Sequence, residues 1–587
     1  MSLWRRAQNY SPRDLRGDLF AGGTVAVMLI PQAMAYATLA GLRPEVGLYA
    51  AVLPAMIYAL AGSSRFLAIG PVAIVALLIS SGLSELAAPG TETYAQHAVV
   101  LALMVAAMFF GLAAVRAGFL VNFLSHPTIV GFNAGAAILT AMSQVSPLFG
   151  VNKIDVSGLT PTWPWPILGE IGRADPMTLL IGVLALVALV SLPRLSSKLP
   201  SALVVCVAAV AAVWWWDLDR SGVAVVGGIP LQLPSLRPPD IELGQLSQLF
   251  PTAASIVVIG FVSSMTVGTV LATKARERMN PNRELWAFGF ANLGAGLCGA
   301  FPVSAGLARS SIMFDAGART RLAGFFSSWI VIGALVVFSS GFRLLPVSVL
   351  AALVISAAAK LIDLRQIVAL FRGRLDGWLT MLLTCVATLA IGLEQGLASG
   401  ILVGFALFIR RTAVPHSAEL GRLPGTTIYR NIGRFETQSC PQAAILRIDA
   451  PLYFGNAQFL ERRVQKLFVD HLDAHLAILD FSSVSDIDAT ALQSLGRIVR
   501  STREAGSDIH IVSAIGPVRD ILQHSGVGRT IGANNMHRTL LEAVPQIMAK
   551  VDAGYCGMKC KHSAFVDCDR IHRGPPTRVP KLEHNQV

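Results

Sequence analysis

Charge is scarce in this chain. Of its 587 residues only 14% are Asp, Glu, Lys or Arg, whereas 53% are hydrophobic; soluble domains carry about 25% charged residues. That shortage excludes a wholly water-soluble protein, because no aqueous core absorbs so much apolar sequence. Cysteine is also sparse, seven residues scattered along the chain, which excludes a disulfide framework and fits a reducing compartment. There is no Gly-x4-Gly-Lys-Ser/Thr cradle for ATP and no triad placed on a soluble pocket, so neither a nucleotide-driven pump nor an enzyme is expected, and no cofactor is called for. The charged N-terminus lacks a small-residue cleavage pattern, so no removable signal peptide is expected.

What is present is a succession of apolar runs from about residue 19 to 408, many about 17 to 22 residues long, the length of a helix crossing a bilayer. About 14 spans are read, near 19–41, 45–61, 67–83, 98–115, 123–148, 177–192, 201–216, 250–272, 285–300, 303–313, 322–340, 344–360, 377–393 and 396–410. The net charge of +12 does not form a basic stripe with interleaved aromatics, so nucleic acid is not a partner. The basic residues instead sit at alternating breaks, among them Arg13/Arg16, Arg65, Lys274/Arg276, Arg319/Arg321, Arg365/Arg372/Arg374 and Arg410/Arg411. By the positive-inside rule the protein is a multi-pass cell-membrane protein with both termini cytoplasmic. The expected organisation is a cytoplasmic segment 1–18, a transmembrane domain 19–411 in halves of about 19–216 and 250–411, a linker 412–435, a small soluble domain 436–548 and a disordered tail 549–587.

Two spans are interrupted. The third opens with Ile69-Gly70-Pro71 and the tenth with Phe301-Pro302, each about 50 residues into its half. With seven spans per half the repeat is inverted, so the two broken helices point their N-termini at one another near the midplane. Free backbone N–H groups and helix dipoles there suit an anion. The backbone at Val72 and Ala73 after the first break, and at Ser304, Ala305 and Gly306 after the second, is therefore expected to line a binding site. Ser304 adds a hydroxyl, and Arg309 is a charge inside a span, which by default implies function. In the first span Gln32 and Tyr36 are four apart and share a helix face; both can donate to an anion, and both equally suit interhelical hydrogen bonding.

These residues resemble the sulfate permease family of anion transporters. The stretch Pro44–Ala51 with Tyr58 and Gly62–Arg65, together with Pro31–Tyr36, Gly70-Pro71, Asn282–Leu285 and Phe301–Val303, carries the resemblance as far as about residue 545. It implies a polytopic α-helical fold of seven-plus-seven inverted repeats. It further implies a core domain that moves against a gate domain, an anion held between the third and tenth helices, and a homodimer. Gln32, Tyr36, the backbone after Pro71 and Pro302, and Arg309 carry over as site positions. Two departures stand out. The run Ser304–Ala308 has fewer hydroxyls than the family pattern, and Ser263 stands where many members carry an acid that supports cation coupling. A lone hydroxyl binds neither H⁺ nor Na⁺ strongly, so exchange or facilitated uptake is expected rather than symport.

Beyond Arg411 strands and helices alternate, meaning a small α/β layer. The stretch Asp480–Leu492 resembles the STAS domain, with Thr490 where related antagonist proteins carry a phosphorylated Ser at a helix start. As a phosphosite Thr490 would be favoured by the helix dipole; otherwise it caps or packs. A cytoplasmic regulator is the partner such a domain implies. Cys556, Cys560, His562 and Cys568 match no strong zinc template, and no metal site is expected. The leading expectation is a secondary carrier of small inorganic oxyanions, sulfate first. The alternatives are a bicarbonate or dicarboxylate carrier, or an anion channel or sensor signalling through the soluble domain.

Overall fold

The computed structural model describes residues 10–119, 125–151, 174–195, 200–228, 243–558, 560 and 562–568. The chain divides into two compact units, 1–404 and 405–587.

The first unit begins with α1 (Pro12–Leu39), started by Pro12 and by a reciprocal cap in which Ser11 and Asp14 satisfy each other's backbone N–H. It continues through α2 (Pro44–Ala61), β1 (Ile69–Gly70), α3 (Ala73–Ser84), α4 (Glu92–Ala114), α5 (His126–Ser143), the short α6 (Val145–Phe149), α7 (Pro176–Leu195) and α8 (Ser201–Trp216). The second half repeats the pattern: α9 (Leu243–Lys274), α10 (Pro281–Leu297), β2 (Ser304–Ala305), α11 (Leu307–Asp315), α12 (Leu322–Phe342), α13 (Val347–Ala359), the short α14 (Leu364–Phe371), α15 (Leu375–Ile391) and α16 (Leu393–Ala413). Fourteen of these elements, α3 and α11 with their strands included, correspond to the expected spans. Among the described residues, α1, α2, α4, α7, α9 and α16 each have the length and composition to cross a bilayer as single helices, and α5 and α13 reach that length counted with the short α6 and α14 that follow them; α3 and α11 are too short to do so alone.

Helices α1–α4 pack with α9–α12, and α5, α7, α8, α13 and α15 form the second group; α16 joins it through Gly396 and Gly400, which lie against Thr388 and Thr384 of α15, and through the Thr128 hydroxyl, which donates to the Gly400 carbonyl. At the crossing of α1 and α2, a Cβ on Gly47 would lie 1.9 Å from the carbonyl oxygen of Ala33. Only glycine lets the two backbones approach so closely. Buried carboxylates tie the loops. Glu284, in the first turn of α10, accepts from the hydroxyl of Tyr58 (2.8 Å) and the N–H groups of Ser63 (2.7 Å) and Ser64 (3.1 Å). Two stretches that carry the family resemblance, Gly62–Arg65 and Asn282–Leu285, thus meet here. Asp18 accepts from the N–H groups of Arg319 and Thr320, both at 2.8 Å, and so fixes the turn after α11.

The second unit is a six-stranded sheet of order β4-β3-β5-β6-β7-β8, from β3 (Ser417–Arg422), β4 (Tyr429–Asn431), β5 (Ala443–Ile448), β6 (Leu476–Asp480), β7 (Asp508–Val512) and β8 (Met536–His537). Strands β5 to β8 are parallel; β3 runs antiparallel to β4 and β5. Helices α17 (Ala457–Asp470), α18 (Ala489–Glu504), α19 (Gly516–His524) and α20 (Val527–Ile531) fill one core with Leu446, Leu479 and Ile511. The opposite face is covered by α21 (Leu540–Lys550) and α22 (Ala553–Met558).

Two expected boundaries change. The stretch 412–435, read as a linker, supplies β3 and β4, because Ala418 and Leu420 have a second apolar face to cover. The tail read as disordered from 549 is ordered in part. Phe565 is fully buried, Arg422 Nη1 donates to the carbonyls of Phe565 (2.9 Å) and Ser563 (3.2 Å), and the Tyr429 hydroxyl donates to that of Ala564 (3.2 Å). A polar, Pro-rich segment hides such anchors because so few residues carry them. Cys556 and Cys568 are buried in this packing, where burial raises the Cys556 thiol pKa, while His562 is exposed.

Candidate functional site

The two interruptions meet. β1 pairs antiparallel with β2, Ile69 opposite Ala305 and Gly70 opposite Ser304, and antiparallel pairing of equivalent segments is what an inverted repeat produces. Each strand leads into a half-helix. In α3 the first intrahelical bond is Ala76 N–H to Val72 O; in α11 it is Ser310 N–H to Gly306 O. The preceding N–H groups, Ala73 to Val75 and Leu307 to Arg309, belong to the orphan set at each helix start. Val72 and Gly306 are the N-cap residues, and neither cap is made by a side chain.

The crossing is held from three sides. Asn292 of α10 accepts from Val303 N–H (2.9 Å) and donates to the Val303 carbonyl (3.2 Å). On α9, Ser264 accepts from Ala305 N–H (3.1 Å) and lies 2.9 Å from the Ser304 hydroxyl, which in turn donates to the Gly260 carbonyl (3.0 Å). Because Ser304's proton goes to Gly260, the proton shared by the serines is Ser264's. The order of donation is Ala305 N–H to Ser264 to Ser304 to Gly260. On the third side Gly306 N–H donates to the Ala68 carbonyl (3.2 Å), and Ala68 N–H donates to Ser310 Oγ (3.1 Å).

These bonds redistribute the expected roles. The donors expected directly after Pro302, namely the Ser304 hydroxyl and the N–H groups of Ala305 and Gly306, already have protein partners. They build the crossing, and the free helix end begins one turn later, at Leu307. The reason is geometric: after Pro302 the chain stays extended to pair with β1, so the helix cannot start there. Ser263 is half-buried, whereas the adjacent Ser264 reaches β2. Sequence reasoning passed over Asn292, Ser264 and Ser310; a polar Asn within the apolar run of α10 was the available signal.

Arg309 is the central side chain. It is 2% exposed, and its Nε and Nη2 atoms are buried with no hydrogen-bond partner. Among the described residues it has no carboxylate partner either. The side chain folds back over its own helix start: a Cβ on Gly306 would lie 2.8 Å from the guanidinium carbon, and one on Gly70 would lie 3.5 Å from Nη2. Gly306 leaves the space that the guanidinium fills, while at Gly70 a Cβ would only touch Nη2 at ordinary contact distance, so the guanidinium lies beside both strands at once. Tyr36 of α1 is buried and close enough to Arg309 to interact with it electrostatically; Gln32, one turn earlier, is half-buried. A full positive charge and two helix N-termini thus occupy one buried region.

In the second unit Thr490 is exposed at the second position of α18. The helix is capped by Asp488, whose carboxylate accepts from Ala491 N–H (2.8 Å), so Thr490 neither caps nor packs.

Comparison with known proteins places these features. A family description given as the sulfate permease family matches residues 15–384, and one for the STAS domain matches residues 434–543. A protein named probable sulfate transporter from Mycobacterium tuberculosis is 32% identical over 539 residues, covering 92% of this chain and 96% of that one. Probable sulfate transporter 4.2 of Arabidopsis thaliana is 32% identical over 548 residues, covering 90% of this chain and 80% of that one. Among solved structures, that of SLC26A9 superposes with a TM-score of 0.85 at 21% identity, covering 94% of this chain and 92% of that one. The transmembrane domain of a cyanobacterial bicarbonate transporter, BicA, gives 0.58 at 21% identity, covering 67% of this chain and 98% of that one.

Proposed function

The chain belongs to the sulfate permease family, and from that premise we propose that it is a secondary carrier of small inorganic oxyanions, sulfate first, held between the N-termini of α3 and α11. The observation that carries this reading is the orphaned guanidinium of Arg309. A buried, unpaired cation costs several kcal/mol, and each helix start adds about half a positive charge beside it. The three together come to about two positive charges, which a divalent tetrahedral anion neutralises while accepting from several donors at once. The N–H groups of Ala73 to Val75 and Leu307 to Arg309 would supply the ends, with Tyr36 and Gln32 closing the side toward α1.

Transport would proceed by alternating access, the two helix groups of the first unit moving against each other around this site. At the position where a carboxylate would couple a cation the chain has Ser263, and Ser264 spends its hydroxyl on β2, so exchange or facilitated uptake is the mode proposed. The distribution of Lys and Arg puts both termini in the cytoplasm. There the STAS domain would meet a regulator, and a phosphate on exposed Thr490 would be favoured by the start of α18. The carrier would work as a homodimer.

The test is counterflow of radiolabelled sulfate in proteoliposomes, with sulfate, bicarbonate and dicarboxylates as competitors. Saturable counterflow that sulfate competes for most strongly is the expected result. A linear, unsaturable flux would mean a channel, and stronger competition by bicarbonate would move the substrate while leaving the site. Acceleration by an imposed pH or Na⁺ gradient at clamped voltage would overturn the assignment of exchange.

A further inference from the structure

Helix α14 is unlike every span around it. It has eight residues, and only four residues separate it from α13 and three from α15. It packs against α15 and α5: the Phe371 ring stacks on Trp378 with centroids 5.9 Å apart, and Leu370 faces Gly377. Yet it leaves Leu364, Val368 and Phe371 at 69%, 46% and 53% exposure. With 3.6 residues per turn these three lie on one stripe, and Arg365 and Arg372, two turns apart, line up along its edge.

The charges of this region are sorted. Asp363 caps the helix, accepting from the N–H groups of Arg365 (2.9 Å) and Gln366 (3.2 Å), and Asp376 lies 3.9 Å from Arg374. Both acids are thereby committed, while Arg365 and Arg372 are exposed and, among the described residues, have no partner. An apolar stripe edged by unpaired guanidinium groups is the composition of a helix that lies in a membrane surface, with its apolar side among acyl chains and its cations at the phosphates. The connections enforce that position. Both neighbours are spans, and linkers this short cannot lift α14 away from the bilayer.

We propose that α14 is a surface anchor that binds anionic phospholipid headgroups through Arg365 and Arg372. It follows the twelfth span and so lies on the side of the N-terminus, the cytoplasmic leaflet in the orientation proposed above, where anionic lipids concentrate. The inference is independent of which anion is transported.

Binding of short-chain fluorescent phosphatidylglycerol and phosphatidylcholine to the full-length protein in neutral detergent tests it. Each cation near an anionic headgroup is worth about fivefold in affinity, so two give a preference for phosphatidylglycerol of roughly 25-fold. The pair Arg365→Gln/Arg372→Gln is expected to abolish that preference without changing phosphatidylcholine binding. The pair Arg365→Lys/Arg372→Lys keeps it, and Val368→Ser with Phe371→Ser weakens both lipids. Glycerol phosphate at the same concentration is expected not to displace the lipid; displacement would mean a free-phosphate site and overturn the proposal. So would a Gln pair that keeps its preference. If the Gln pair does not fold, the wild-type ratio and the Lys pair decide: no preference in the wild type, or loss of it in the Lys pair, refutes the anchor.

Discussion

Replacing Arg309 with Gln separates a binding role from a structural one by the sign of its effect on stability. In the wild type without anion, Nε and Nη2 are buried with no partner, so the substitution breaks no hydrogen bond and removes an uncompensated charge. Thermal stability in anion-free buffer is therefore expected to rise, by about 1–3 kcal/mol. With anion the balance reverses. A hydrogen bond to a charged group is worth about 1.5–3 kcal/mol. Two such bonds, partly offset by the remaining helix ends, amount to about 3 kcal/mol, or roughly 150-fold in half-saturation. The assay is thermal unfolding of the purified protein across a sulfate titration, paired with uptake in proteoliposomes. Sulfate should raise the wild-type Tm, by about 1.4 kcal/mol of linkage at ten times its dissociation constant. The variant should start higher and fail to respond. A variant that is less stable without anion yet keeps its sulfate response would show that Arg309 holds the fold and not the ligand, and the reasoning above would fail.

Three further outcomes follow from the geometry. Ser264→Ala leaves the Ala305 N–H buried without an acceptor, at a cost of about 1–3 kcal/mol; a double-mutant cycle with Ser304→Ala, read by thermal unfolding, should give a coupling of about 1 kcal/mol because the two hydroxyls share one proton path. Gly47→Ala places a Cβ 1.9 Å from the Ala33 carbonyl, so α1 and α2 must part, and monodisperse protein on size exclusion is expected to disappear. In the second unit His510 is held neutral down to about 4, chiefly by burial, then by the Lys550 ammonium 3.2 Å away and by His537, against which it stacks. A folded pKa below the unfolded value near 6.5 means that the unfolded chain takes up the proton first. Stability is then full above about pH 6.5 and falls toward pH 4, by roughly 1–2 kcal/mol after allowing for solvent screening. Urea unfolding read by hydrogen exchange in β7 should show the loss, and His510→Gln should flatten it.

How much of this was legible beforehand varies by element. The fourteen spans followed from apolar run length, because a bilayer demands about 20 apolar residues from any helix that crosses it unaided. The broken spans at Pro71 and Pro302 were visible as equivalent interruptions, and the structure pairs them as β1 and β2. The roles within the second break were not legible. Ser304 looked like a donor to substrate, yet its proton goes to Gly260; Ser263 stood at the matching position, yet Ser264 makes the contact. One residue of helix phase, about 100°, separates those serines. Only the packing of α9 against β2 sets that phase.

In the soluble unit, alternating strands and helices gave the sheet, while β3, β4 and the buried Phe565 lay in stretches too short or too polar to announce themselves. The sequence alone determined that this is a membrane protein built from two inverted halves followed by an α/β domain, since hydropathy and repeat spacing are local and additive along the chain. The tertiary structure alone decided which donors remain free. A hydrogen-bonding group is available to a ligand only if no neighbour has already taken it, and Asn292, Ser264 and the Ala68 carbonyl take the N–H groups of Val303, Ala305 and Gly306. Arg309 is left without a partner by that allocation.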